Sequence, residues 1–177
     1  MILMIQSCIV LKEEYYFPSA DGAFVQKESC RGNVGADNKL TFEWEGVNAI
    51  FSVRKLGDPL RFVVTFEVTQ GSLVVWPEQQ IIGKTESGHF ELAIESFKKI
   101  ISYGDNFETA DYPVNTVMKN SSKKEMESYF QSSPLSNNSI TKIEIEGISL
   151  IVNGEKIILP KMNFEKAKGV FLHPLNC

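Results

Sequence analysis

Histidine is almost missing from this sequence. His89 and His173 are the only two among 177 residues, so the side chain best suited to moving protons or binding a transition metal near neutral pH is scarce. The two histidines and three cysteines do not make up a zinc pattern, and there is no CxxC pair. The nucleophile elbow, the P-loop, the dinucleotide fingerprint and HExxH are all absent. On these grounds no catalytic residue, no metal site and no cofactor is assigned, and an enzyme is the lesser expectation. Basic runs are lacking too. Lys98-Lys99 and Lys123-Lys124 are isolated pairs with acidic neighbours, and the net charge is −4. That argues against nucleic acid as a partner, because phosphates require a basic face. No stretch approaches the roughly 20 apolar residues that span a bilayer as a helix. Membrane attachment is therefore expected to be peripheral or lipid-mediated.

What is present is apolar and aromatic material in a strand pattern. Hydrophobic residues make up 43% of the chain, with twelve Phe and two Trp, enough for one domain with a well-stocked core. From Leu40 to Trp44 the apolar residues Leu40, Phe42 and Trp44 alternate with Thr41 and Glu43, the period of a half-buried strand. Gly46-Val47-Asn48 breaks the run, and a second strand follows to Leu56. In "LRFVVTFEV" the residues Phe62, Val64, Phe66 and Val68 share a face. "LVVW" and "QIIGKT" read as further short strands. Asn153-Gly154, flanked by apolar alternation, predicts a hairpin with a type I′ turn, whose two central residues both need positive φ. Ile148, Leu150 and Val152 are expected on one face of it, answered by Ile157 and Leu159. The segment 89–103 fits either a strand to Ser96 or a helix face. "SSKKEMESYFQSS" predicts a short helix near 122–131, with Ser121 or Ser122 as cap and Glu125 at capping-box distance from Ser122. The spacing of strands and turns predicts an all-β fold. The expected form is a single antiparallel β-sandwich, Ig-like or jelly-roll-like, of seven to nine strands with that one helix.

Few residues suggest a site. Asp105, Glu108 and Asp111 form the densest acidic cluster, in a stretch that reads as a loop over 103–115 and on toward 121. Two carboxylates across a cleft can hydrolyse a glycosidic bond, although a solvated acidic loop explains the cluster as simply. Trp76 precedes Pro77 at a strand end and is the better candidate for an exposed, ligand-stacking aromatic. Trp44 shares the apolar face of its strand and is expected in the core. Trp76, Asp105, Glu108 and Asp111 are thus the possible ligand contacts.

The chain begins "MILMIQSC". The residues Ile5-Gln6-Ser7-Cys8 resemble the box that ends a bacterial lipoprotein signal: an apolar residue three before the cysteine and a small one next to it. Only "MILM" precedes the box, without the basic start and longer apolar run of a full signal. The resemblance implies a truncated signal over 1–8 with lipid on Cys8, a tether and turn over 9–22, and a β-sandwich domain over 23–177. It also leaves Cys30, in a Gly-containing loop, and Cys177 as an even pair. A Cys30–Cys177 disulfide is then implied, in an oxidising compartment. The expected address is periplasmic or at the cell surface, anchored to the outer membrane by lipid alone. The expected role is a non-enzymatic binding or structural module for a protein or polysaccharide of the envelope. Two alternatives stay open: a polysaccharide hydrolase using the acidic loop, and a cytoplasmic β protein whose first strand is Ile2 to Leu11 and whose cysteines are reduced.

Overall fold

The structure, a computed structural model, describes residues 9–28, 35–55, 59–103, 106–122, 125–135 and 140–173, with only the backbone at 9–11, 102–103, 106–107 and 172–173. Among the described residues sixteen strands run in chain order: β1 (Ile9–Ser19), β2 (Phe24–Lys27), β3 (Asp37–Trp44), β4 (Val47–Lys55), β5 (Leu60–Thr69), β6 (Leu73–Val75), β7 (Ile81–Thr85), β8 (Gly88–Leu92), β9 (Ser96–Tyr103), β10 (Asn106–Pro113), β11 (Val117–Lys119), β12 (Met126–Pro134), β13 (Lys142–Glu146), β14 (Ser149–Val152), β15 (Glu155–Ile158) and β16 (Met162–His173). They form three sheets, ordered β10-β9-β12-β5-β4-β3-β2, β1-β16-β13-β7-β8 and β11-β6-β14-β15. Every strand pairing described is antiparallel. The sheets do not close into a barrel, and the fold is an antiparallel β-sandwich.

The strongest alternation builds the centre. Phe62, Val64, Phe66 and Val68 of β5 are all fully buried, and their neighbours on the other face are half-buried. Across β4 they oppose Val53, Phe51, Ala49 and Val47 in register. Ring contacts carry this face to the opposing layer. Phe62 meets Phe164 of β16 edge-on at 6.0 Å. Phe66, Phe97 and Trp76 form a triangle with centroids 5.2–6.0 Å apart. The seven-stranded sheet is therefore one layer, and the two smaller sheets supply the other. Trp44 is half-buried, stacked on Phe42 at 6.1 Å.

The Asn153-Gly154 hairpin forms as its sequence dictates. Both residues have positive φ, 51° and 91°, and Val152 pairs with Glu155. Ile148, Leu150, Val152 and Leu159 are buried, with Ile157 packed against them. Segment 89–103 is two strands, β8 and β9, separated at 93–95.

Four expectations are corrected. The helix near 122–131 does not form. From Met126 onward this stretch is β12, paired with β5 from Met126↔Thr69 to Pro134↔Arg61. Ladder bonds and burial of Tyr129 outweigh a local cap, which contributes only about 1 kcal/mol. The tether over 9–22 is largely β1, paired residue for residue with β16 from Ile9↔His173 to Ser19↔Asn163. The loop over 103–121 contains β10 and β11. The strand count exceeds seven to nine because the opposing layer is divided between two sheets of short strands.

Candidate functional site

β1 and β16 form a two-stranded ribbon where β16 runs past its pairing with β13, which ends at Glu165. Between this ribbon and the ends of β3, β4 and β5 lies a cleft of about 390 Å³, within the range of about 300–1,000 Å³ typical of small-ligand sites. Glu13, Glu14, Tyr15 and Tyr16 line it from β1 and Lys166 from β16. Asn38, Val53, Arg54, Lys55 and Leu60 come from the seven-stranded sheet, and Glu28 from the segment after β2.

The cleft is held by fixed polar contacts. Tyr16 is buried and its hydroxyl donates to the Ile140 carbonyl at 2.6 Å. Burial, helped by the charges of Glu14 and Glu86, pushes its pKa above the ordinary value. Glu28 is 4% exposed and bridges two cations, with Lys39 Nζ at 3.0 Å from one oxygen and Arg54 Nη2 at 2.8 Å from the other. Arg54 Nε donates to Ser52 Oγ at 3.0 Å. The Glu28 N–H donates to Ala36 O and its carbonyl accepts from Gly35 N. At the ribbon, Lys166 Nζ lies 2.6 Å from Glu14, whose carboxyl is lowered by that hydrogen bond first of all. Asn38 is the exception. It is 6% exposed and its Oδ1 is buried with no hydrogen-bond partner.

A second buried polar cluster lies toward the other side of the seven-stranded sheet. Lys99 Nζ of β9 is 2.5 Å from Glu127 Oε2 of β12. The Tyr129 hydroxyl donates to the Lys119 carbonyl at 2.6 Å and lies 3.3 Å from Glu127 Oε2. Burial would raise the Glu127 pKa, but hydrogen bonds from Lys99, Ser122 and the Ser121 N–H, with the Lys99 charge, bring it below the ordinary carboxylate value. Burial pushes the Tyr129 phenol well up, reinforced by Tyr112 and Glu127. These groups fasten the 119–122 segment to the sheet.

The residues singled out from the sequence do not converge. Trp76 is not an exposed aromatic: it is 1% exposed inside the Phe66–Phe97 triangle. It stands two residues after buried Val74, so strand alternation carries it inward. Glu108 and Asp111 lie three apart on the extended strand β10, hence on opposite faces, and both are exposed. Asp111 approaches Lys98 at 4.0 Å. These two do not make a facing pair. Asp105 and the three cysteines Cys8, Cys30 and Cys177 lie outside the described residues. His89 is exposed on β8. Among the described residues no group of His, Cys, Asp and Glu is arranged to hold a metal ion, and no helix is long and apolar enough to cross a membrane.

Asn38, Glu28 and Arg54 were not singled out from the sequence. The one available signal was Glu28 itself, a carboxylate beside a turn-rich stretch whose cationic partners sit on the following two strands. No family model matches the chain, and none of the curated proteins matches it.

Proposed function

We propose that this protein is a non-enzymatic binding module of the bacterial envelope, tethered by lipid on Cys8, that takes its partner in the cleft between the β1–β16 ribbon and the seven-stranded sheet. The cleft carries the binding half of this reading: it is concave, part apolar and part polar, and its ion pairs brace the walls. The Ile5-Gln6-Ser7-Cys8 box carries the anchoring half, together with the Cys30–Cys177 disulfide it implies. A hydrolase built on the acidic segment finds no support in the positions of Glu108 and Asp111.

Retention on the envelope fraction of the host tests the binding half. The full chain is compared with Lys55→Trp, which places an indole at the mouth of the cleft from an exposed position. Retention is expected to fall in the variant; equal retention sinks the reading. Intact-mass measurement of the membrane fraction tests the anchor. It should show acyl chains on Cys8, and an unmodified thiol there removes the envelope address.

A further inference from the structure

The two smaller sheets turn different outer faces to solvent. Strand alternation sends every second residue outward, and the outward set of an antiparallel sheet is commonly polar. On β13, β7 and β8 it is: Lys142, Glu144, Glu146, Lys84, His89 and Glu91 point out, with Ile82 among them. On the four-stranded sheet the pattern fails. Met118, Val74, Leu150 and Val152 are buried, so Val117, Leu73, Val75, Ile151 and Ile158 face out. Val117, Val75 and Ile151 stand side by side across three strands, and Lys156 ends the row. Val117 is 45% exposed and Ile158 74%. The remaining outward residues of these four strands are Ser149 and Lys119. The charges at their outward positions are therefore two lysines, Lys119 on one edge strand and Lys156 on the other. Glu155 alternates to the opposite side, paired with Val152.

Charge and size select what this face meets. A second copy would bring the same two lysines to the contact, so like charge opposes self-docking. A stable protein interface takes about 800 Å² from each side. Four strands about 4.8 Å apart, carrying outward residues over about three positions, give a face on the order of 200 Å². A bilayer surface needs no matching shape. Binding there grows with the apolar area inserted and with the attraction of cations to anionic headgroups. Lysine stems lie along aliphatic surface while their ammonium groups reach outward.

We infer that the outer face of the four-stranded sheet docks on an anionic lipid surface, with its aliphatic side chains at the acyl boundary and Lys119 and Lys156 at headgroup phosphates. The inference needs neither the cleft nor lipid on Cys8; where Cys8 is acylated, this face adds a second attachment.

Vesicle sedimentation tests it, using the full chain without lipid on Cys8. Vesicles of phosphatidylcholine and phosphatidylglycerol in equal parts should bind it about tenfold more tightly than phosphatidylcholine alone. Ile158→Glu, at a largely exposed position, should weaken that binding about tenfold, and Lys119→Gln and Lys156→Gln about fivefold each. Lys84→Gln changes the net charge equally but lies on the other outer face, and should leave binding unchanged. If Ile158→Glu fails to fold, the lysine variants decide. No binding to the mixed vesicles, equal binding to both kinds, or equal losses from Lys84→Gln and Lys156→Gln overturns the inference. So does a dimer in sedimentation velocity without lipid that Ile158→Glu dissolves, which assigns the face to a second copy. Each of these failures leaves the cleft and the Cys8 anchor standing, since neither enters the assay.

Discussion

Glu28 and Glu127 are both buried carboxylates at the seven-stranded sheet, one beside its β2 edge and the other on β12, and they are held in different ways. Glu28 shares its charge between Lys39 and Arg54, whose side chains keep 20% and 27% of their exposure. Glu127 leans on one ammonium, Lys99, which is only 12% exposed, and on groups of the adjoining 121–122 segment. Each region also has a buried tyrosine whose hydroxyl donates at 2.6 Å to a backbone carbonyl, Tyr16 to Ile140 and Tyr129 to Lys119. The Glu28 side opens into a cleft and ties residues far apart in the chain. The Glu127 side joins β12 to Lys99 of β9 and to the 119–122 segment. Similar chemistry thus serves to brace a concave surface in one place and to fasten a connection in the other.

Breaking the pair at Glu127 should cost most. Glu127→Ala leaves Lys99 buried without its carboxylate and is expected to destabilise by about 3 kcal/mol, read from urea unfolding. Adding Lys99→Met should recover most of that loss. Glu28→Gln should cost less, about 1 kcal/mol, because its two cations can turn to water; its main effect should be on retention in the cleft. An equal loss at the two sites would erase the contrast. Tyr129→Phe and Tyr16→Phe should each cost about 1 kcal/mol, but only Tyr16→Phe should weaken ligand binding.

Acid sharpens the comparison further. The folded pKa of Glu127 lies below its ordinary value of 4.5. Its contribution is therefore fully present above about that pH and is lost as pH falls through the folded value. The stability gap between the parent and Glu127→Ala should be flat above pH 4.5 and shrink below it. Exposed Glu14 and Glu86 and half-buried Glu144 are also low, and they cancel in the difference. The smallest effect is spectroscopic. Tyr16 and Tyr129 are both raised above 10 and should stay out of the tyrosinate absorbance step near that pH until the protein unfolds.

The sequence was most readable where burial follows strict alternation or a turn demands a particular residue. The β5 face and the Asn153-Gly154 hairpin are both of this kind. It misled where a local signal competed with distant partners. Ser122 and Glu125 form a good cap, and Glu127 looks like a surface residue until Lys99 is brought beside it. In "NFETADYP" polar residues hid an edge strand, because β10 exposes much of its surface. Pro77 marks Trp76 as a strand end, but the alternation set by buried Val74 carries its side chain inward. The cleft was not legible at all: its walls come from residues between Glu13 and Lys166, and no short window contains its pattern.

The register of β1 with β16 also sets an order in time. Ile9 cannot find its partner until His173 has been made, and the same holds for every pair along the ribbon. A chain emerging from the ribosome can complete the β3–β5 meander early, but it must hold β1 unpaired until synthesis reaches β16. Closing so long a loop is entropically costly and slow. Until then β1 has no partner strand, and a chaperone bound there would have the longest window in which to act.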